Sequence, residues 1–325
     1  MRRALRLAEK GRGWVLPNPM VGAILVKDGE RIGEGFHQKY GEDHAEVAAL
    51  KNMKGSAEGA TLYVTLEPCS HTGKTPPCAE AVIKAGIKKV VIAVKDPSEK
   101  VNGKGIELLK KAGIEVELGL LEKEARELNK NFFTFHEKKR PFISAKVALS
   151  LDGKMAESRD KRTFLTGPLS EKISHGLRHE HQAILVGSGT ILADDPQLNV
   201  RAIEGRNPLR IILKGDRELP KDAAIFRDEN FLVLENKNVE EILKELHEKG
   251  ITSVLVEGGK EVLESFFSAE VIDEFHFFYA PKILGQKSLG LSFNENDLSF
   301  SQISVRKSGR DVYLRLKAEW DSGKA

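Results

Sequence analysis

The sequence predicts two consecutive α/β domains. Strand-like runs of Val, Ile and Leu alternate with amphipathic helical stretches along the whole chain. At 325 residues the chain exceeds the size at which a single hydrophobic core keeps growing. Between the two alternating stretches lies a charged, apolar-poor segment, His136-Glu137-Lys138-Lys139-Arg140-Pro141, closed by proline. The boundary is placed there, giving domains of residues 1–140 and 141–325.

In the first domain a short helix covers Ala4–Lys10, closed by Gly11 and Gly13. Val21–Val26 is a strand, Lys27-Asp28-Gly29 a hairpin turn, and Arg31–Phe36 the returning strand. Asp43 is an N-cap type of residue for a helix over His44–Met53 with Glu46 in its first turn. Thr61–Leu66 is a β-rich run, and a helix then opens at Cys78 and stops before Gly86. A strand at Lys89–Val94, a helix at Ile106–Ala112, a strand at Ile114–Leu118 and one helix over Lys123–Phe133 complete the domain. Such alternation implies a layered domain around a largely buried sheet.

The second domain repeats the style. Strands are expected at Phe142–Ala148, Ala183–Val186, Leu209–Leu213, Phe231–Leu234, Ser253–Val256, Glu274–Ala280 and Asp311–Lys317. Helices are expected at Glu171–Glu180, Val239–Lys249 and Lys260–Phe267. No internal repeat or low-complexity tract interrupts either half.

The composition, 40% hydrophobic and 30% charged, is that of a soluble globular chain, with no apolar run near the roughly 18 residues that cross a bilayer. The start, Met1-Arg2-Arg3-Ala4-Leu5-Arg6-Leu7, is a basic amphipathic helix without the apolar core of a signal peptide. A cytoplasmic location and no membrane partner are therefore expected. In that compartment a disulfide between the only two cysteines would not persist. A net charge of +3 without a dense basic stripe argues against a stable nucleic-acid partner and suits a small anionic substrate.

Those two cysteines, Cys69 and Cys78, sit nine positions apart behind the tripeptide His44-Ala45-Glu46. Zinc takes four ligands, and a catalytic zinc leaves one position for water. His44, Cys69 and Cys78 would supply three. Glu46 could reach the bound water, take its proton and hand it to a leaving amine. Cys69 follows a strand and Cys78 opens a helix, whose positive end favours a thiolate. Singly, each residue has an ordinary role: a capping histidine, a core-filling cysteine, an acid complementing a helix dipole. As a set they match the arrangement of zinc deaminases. His71 lies inside the loop, where it could be the fourth ligand of a structural site or touch a substrate. The residues leave both open.

The second half has no motif of equal strength. It lacks G-x-G-x-x-G after its first strand, which disfavours an ordinary dinucleotide-binding domain. Polar text instead recurs at strand ends: Lys146–Gly153, Gly187-Ser188-Gly189-Thr190 and Glu257-Gly258-Gly259. Gly258 and Gly259 lie between a buried strand and a helix, where bare amides can hold a phosphate. Arg178 or Arg201 could neutralise a sugar phosphate by paired hydrogen bonds.

His44-Ala45-Glu46 with Pro68-Cys69 resembles the cytidine-deaminase superfamily, most of whose members close the pair as C-x-x-C. Here eight residues separate the cysteines. The loop P-C-S-H-x-G-x-T-P-P-C, with Pro17-Asn18-Pro19-Met20-Val21-Gly22-Ala23 upstream, resembles the RibD family of bifunctional riboflavin-biosynthesis enzymes. In the second half the resemblance continues in K-x-A-x-S-L-D-G at Lys146–Gly153, in Ala183–Pro196, in Leu198, Arg201 and Glu257-Gly258-Gly259, and in Ala280–Gly285. It covers essentially the whole chain, which starts a few residues later than is usual for that family.

The resemblance implies a cytidine-deaminase-like three-layer α/β/α domain followed by a dihydrofolate-reductase-like α/β domain. It implies zinc-dependent hydrolytic deamination of 2,5-diamino-6-(5-phosphoribosylamino)pyrimidin-4(3H)-one. Reduction of the ribosyl group by NADPH then gives 5-amino-6-(5-phosphoribitylamino)uracil. A small phosphorylated pyrimidine would be the substrate, and a homodimer is implied. By position, Asn18, His71 and Lys74 would face the pyrimidine in the deaminase. Ala148, Phe164, Thr190, Asp194 and the turn Gly259-Lys260-Glu261-Val262-Leu263-Glu264-Ser265 would contact NADPH. Arg162, Arg178, Leu198, Arg201 and Glu257 would contact the reductase substrate; the proton donor of the reductive step stays open, with Lys146 and Asp194 as candidates. Departures from the family pattern are Phe164-Leu165-Thr166 for W-I-T, Arg162 for a substrate-side serine and Gly215 for a cofactor-side serine. Two other readings stay open from the residues: a zinc deaminase acting on a base in RNA with a C-terminal binding module, and a zinc-stabilised binding protein without turnover.

Overall fold

The computed structural model describes residues 1–71, 76–159, 163–293 and 298–320. The chain divides into two compact units, Met1–Lys139 and Arg140–Ala325.

The first unit runs α1 (Arg2–Ala8), β1 (Gly22–Lys27), β2 (Glu30–Phe36), α2 (Ala45–Lys51), β3 (Thr61–Val64), α3 (Cys78–Lys84), β4 (Lys89–Ile92), α4 (Lys104–Lys111), β5 (Glu115–Leu118), α5 (Glu122–Leu128) and α6 (Lys130–Glu137). Its sheet has the order β2-β1-β3-β4-β5. β1 pairs antiparallel with both β2 and β3, whereas β3, β4 and β5 run parallel. Strand alternation sorts the side chains into two cores. Ala23, Leu25, Leu62 and Val90 pack with Ala45 and Ala49 of α2, Val82 of α3 and Leu109 of α4. Ile24 packs on the opposite face with Ala4 and Leu7 of α1, and Ala125 and Phe133 close a further cluster with Leu66 and Val94. The unit is thus helix–sheet–helix in three layers. α2 can lie on β2 at backbone distance because Gly35 has no side chain: a Cβ there would fall 2.3 Å from the Ala49 nitrogen.

The single helix expected over Lys123–Phe133 is two. It breaks at Asn129, whose buried amide accepts from Met20 N–H at 2.8 Å and donates to Met20 C=O at 2.8 Å. Those tertiary bonds outweigh the local preference for continuing the helix.

The second unit runs β6 (Phe142–Ser150), β7 (Lys154–Ala156), α7 (Pro168–Glu180), β8 (Ala183–Gly187), α8 (Ser188–Asp194), β9 (Leu209–Lys214), β10 (Phe231–Glu235), α9 (Val239–Glu248), β11 (Ser253–Val256), α10 (Lys260–Ser268), β12 (Glu274–Ala280), β13 (Leu289–Gly290), β14 (Leu298–Ser308) and β15 (Asp311–Trp320). Eight strands form one sheet in the order β10-β9-β8-β11-β6-β12-β15-β14. From β10 to β12 all neighbours are parallel, and β15 and β14 add antiparallel. One face packs on α9 and α10 through Leu246, Leu263 and Phe266. The other packs on α8 through Ile184, Val186 and Ile191, and on α7 through Leu177, Leu255 and Phe278.

Candidate functional site

In the first unit α2 opens at Ala45, and His44 holds the N-cap position with extended backbone. The capping role expected of Asp43 is not observed: its carboxylate pairs with Lys51 Nζ at 2.5 Å, and no side chain caps the helix. The His44 ring turns to the cysteines. Its Nδ1 lies 3.2 Å from Cys78 Sγ and 3.6 Å from Cys69 Sγ. Cys78 is the first residue of α3, its N–H donates to Cys69 Sγ at 3.3 Å, and Ala79 N–H donates to the Cys69 carbonyl at 3.1 Å. The three donor atoms lie within 4.8 Å of one another. Tetrahedral zinc sets nitrogen and sulfur ligands about 3.5 Å apart, so the donor set fits that metal. His71 is exposed and outside the cluster, which leaves three protein ligands among the described residues.

The electrostatics agree with that chemistry. A hydrogen bond from Cys78 favours the Cys69 thiolate, and His44 adds to it, so the Cys69 thiol is held well below its ordinary range. The same bond, with burial, pushes Cys78 up. The hydrogen bond to Cys69 raises His44. Glu46 is only 3% exposed; burial, with the charge on Cys69, pushes its carboxyl up to about 7. A carboxyl near neutrality can both take and give a proton.

Asn18 reaches the site through a residue the sequence did not single out. Its Nδ2 lies 3.1 Å from Nε2 of buried His37, whose Nδ1 lies 3.0 Å from the Asp43 carbonyl. A carbonyl only accepts, so Nδ1 carries the proton and Nε2 accepts from Asn18. Glu67 and Asp96 were also missed. Both are buried at the carboxyl edge of the sheet; Glu67 accepts four backbone N–H groups and Asp96 accepts from Ser98 N–H at 2.7 Å. Glu67 could have been noticed as an acid in an apolar run. Lys74 and Arg162 lie outside the described residues.

In the second unit the expected residues gather in two groups. Arg178 of α7 makes a two-pronged pair with Glu257, just past β11, at 2.8 and 2.9 Å. Lys146 of β6 stands 3.8 Å from the same carboxylate. Burial pushes Glu257 up, but the charges of Arg178 and Lys146 outweigh it and hold the carboxyl at about 2. Arg201 bonds Asn199 Oδ1 at 3.0 Å and Glu171 Oε1 at 3.2 Å. Leu198 is buried in the left-handed region (φ 52°), a strained backbone for leucine.

The second group lies where β8 and β11, adjacent and parallel, run into α8 and α10. A Cβ on Gly187 or Gly258 would fall 2.8 or 2.7 Å from the Val262 side chain, and one on Gly259 3.4 Å from Thr190 Oγ1. Glycine at 187 and 258 is thus required for the first turn of α10 to pack against these strand ends, and Gly259 lies beside Thr190. Asp194 ends α8 and Ala148 packs against the Leu177 cluster. Of the α10 turn, Leu263 points into the core and Ser265 bonds back to the Val262 carbonyl. Glu261 pairs with Arg159, and Lys260 and Glu264 bond Ser292. Phe164 is 70% exposed, its carbonyl accepting from Lys282 Nζ. Arg217, not foreseen, lies 3.9 Å from the point a Cβ would occupy on Gly189.

Residues 1–94 match the family model of the cytidine and deoxycytidylate deaminase zinc-binding region, and residues 141–314 match the RibD C-terminal domain. The riboflavin biosynthesis protein RibD of Aquifex aeolicus is 42% identical, covering 98% of this chain and 97% of its own length. The chain belongs to the RibD family. Among solved structures, Acinetobacter baumannii RibD is 38% identical with a TM-score of 0.93, covering 98% of this chain and 97% of that one. The diaminohydroxyphosphoribosylaminopyrimidine deaminase/5-amino-6-(5-phosphoribosylamino)uracil reductase of Thermotoga maritima is 39% identical with a TM-score of 0.84 over 98% and 97%. Within the RibD family frame, the deaminase match contains Asn18, His44, Glu46, Cys69 and Cys78. The RibD C-terminal match contains Lys146, Arg178, Arg201, Glu257 and the Gly258–Gly259 turn.

Proposed function

We propose that the chain performs two consecutive steps of riboflavin biosynthesis, a deamination by residues 1–140 and a reduction by residues 141–325. The observation that carries it is the convergence of His44, Cys69 and Cys78 beside buried Glu46, in a chain whose RibD relatives align over both units. Those three side chains would hold zinc, whose chemistry there would be to activate a water molecule. Glu46 takes a proton at its carboxylate and returns it to the leaving amine. Burial at a carboxyl poised near 7 suits it to both transfers. Asn18, oriented by His37, and His71 hold the pyrimidine. The substrate is 2,5-diamino-6-(5-phosphoribosylamino)pyrimidin-4(3H)-one, which loses its 2-amino group as ammonia.

In the second unit bound NADPH would supply the hydride for reduction of the ribosyl group. The glycine-lined ends of β8 and β11 with Thr190 and the α10 turn hold the cofactor. Arg178 and Arg201 hold the sugar phosphate, Glu257 keeps Arg178 aimed, and Lys146, 3.8 Å from Glu257, holds the proton for the ring oxygen released as C1′ takes the hydride. RibD similarity through both units favours this substrate over a base in RNA. A cytoplasmic homodimer belongs to the same proposal; sedimentation at one chain mass would refute the dimer.

The test uses zinc-loaded full-length protein with the diaminopyrimidinone phosphate and NADPH. Ammonia release and NADPH oxidation are both expected. Glu46→Gln should lower deamination by about a thousandfold or more while keeping zinc. Supplied with the deaminated intermediate, it should still oxidise NADPH. Unchanged ammonia release from Glu46→Gln would overturn its assignment.

A further inference from the structure

The segment Leu198–Arg201 belongs to no helix or strand, so its shape must be imposed by what it touches. One face of α7 does so. Glu171, His175 and Arg178 recur at intervals of four and three residues, which stacks them on a common face of the helix. Glu171 Oε1 takes the Arg201 guanidinium at 3.2 Å, and Arg178 Nη1 donates to the Asn199 carbonyl at 3.2 Å. Between them His175, only 1% exposed, receives the Arg201 backbone N–H on its Nδ1 at 3.1 Å.

A backbone N–H only donates, so this contact needs a lone pair on Nδ1. The neutral tautomer with its proton on Nε2 provides it. We propose that His175 is a positioning residue of the reductase: its unprotonated Nδ1 pins the Arg201 backbone and thereby aims the Arg201 guanidinium at the substrate phosphate. The proposal rests on Arg201 being a substrate contact.

Protonating His175 would set two N–H groups against each other. Four charged groups face the ring: Glu171 and Arg178 on α7, Arg201 on the segment, and Glu257 beyond β11. Burial, then Arg178 and Arg201, hold its protonation below the ordinary 6.5. The pinned geometry thus prevails at neutral pH and is lost on acidification.

Reduction of 5-amino-6-(5-phosphoribosylamino)uracil by the full-length protein tests this. His175→Phe keeps volume and removes the acceptor. It should raise KM for this substrate about tenfold, with kcat, KM for NADPH and ammonia release within about threefold. His175→Asn places Oδ1 where Nδ1 stood and does not titrate. It should restore KM and lessen the rise in KM expected of wild type as pH falls below the ordinary histidine range, leaving only the part due to protonation of the substrate phosphate, which both proteins share. Arg201→Ala should raise KM alone, and adding His175→Phe to it should change KM less than about twofold. Normal KM in Arg201→Ala would overturn the substrate role of Arg201. Normal KM in His175→Phe beside a raised KM in Arg201→Ala would overturn positioning. Failure of His175→Asn to rescue, or loss of NADPH binding with substrate binding, would reduce His175 to a structural part and overturn it too.

Discussion

Glu67→Ala strips four backbone N–H groups of their shared acceptor. Glu67 Oε2 accepts from Asp96 N–H at 3.2 Å and Gly103 N–H at 3.0 Å, and Oε1 from Gly105 N–H at 3.0 Å and Ile106 N–H at 3.2 Å. The carboxylate is 3% exposed and lies two residues before Cys69. It ties the cysteine loop to the turn that opens α4. The two segments are close-packed: a Cβ on Gly105 would fall 2.0 Å from the Pro68 carbonyl oxygen. A hydrogen bond to a charged group nets about 1.5–3 kcal/mol, so four represent roughly 6–12 kcal/mol before relaxation. Water entering the vacated volume recovers much of that, leaving an expected loss of about 4 kcal/mol, at the upper end for one substitution. Glu67→Gln keeps one oxygen for two donors and turns an amide NH2 on the others, so about 2 kcal/mol is expected. The chain has two tryptophans, Trp14 in the first unit and Trp320 in the second. In a Trp320→Phe background, urea unfolding followed by Trp14 fluorescence reports the first unit alone. A loss below about 1 kcal/mol in Glu67→Ala would refute the reasoning, because four stranded buried donors cannot cost so little.

Cys78→Ser should weaken zinc binding at least about a hundredfold and abolish ammonia release while NADPH oxidation with the deaminated intermediate continues. Zinc content near one per chain after dialysis would contradict the ligand assignment. The Glu257 carboxyl, held at about 2 against an ordinary 4.5, binds fewer protons folded than unfolded between those values. Its stabilisation is complete above pH 4.5 and is lost as pH falls through 2. Wild type should therefore lose about 3 kcal/mol more than Glu257→Gln across that window. Urea midpoints showing parallel pH profiles for the two proteins would count against the Arg178–Glu257 pair.

How much was legible follows from how local each feature is. Both cysteines and the H-x-E tripeptide lie on short segments with their own turn and helix signals, so the metal cluster could be read directly. Strands such as β1, β8 and β11 could be read because their Val, Ile and Leu runs are buried on both faces; the three-residue β7 carries no such run and was missed. β14 could not be read either: its residues, Leu298–Ser308, alternate serine with apolar and charged side chains on a largely exposed edge, which carries no burial signal. α8 was hidden behind Gly187-Ser188-Gly189, which suggests a turn rather than a seven-residue helix. Asn129 broke a predicted helix for the sake of Met20, a partner 109 positions away that no local pattern reveals. The roles of His175 and Glu67 were hidden for the same reason, since each works through backbone atoms of a distant segment; His37 acts on the Asn18 side chain, which no periodic pattern marks.

Both units place their chemistry at the carboxyl ends of parallel strands, and elementary geometry explains why. Parallel neighbours end on the same edge, and each is followed by a connection that enters a helix. That edge collects first-turn N–H groups that the helix itself cannot satisfy. In the first unit the groups after β3 and β4 converge on a carboxylate, Glu67, and on thiols, with Cys78 N–H turned to Cys69 Sγ. In the second, β8 ends at Gly187, and β11 is followed by Glu257-Gly258-Gly259 before α10 begins. Filled by the chain's own anions, such an edge holds those side chains in place. Left open, it becomes a crevice for a ligand's phosphates. One backbone arrangement thus serves both halves of the proposed function, and the side chains at a few strand ends decide between them.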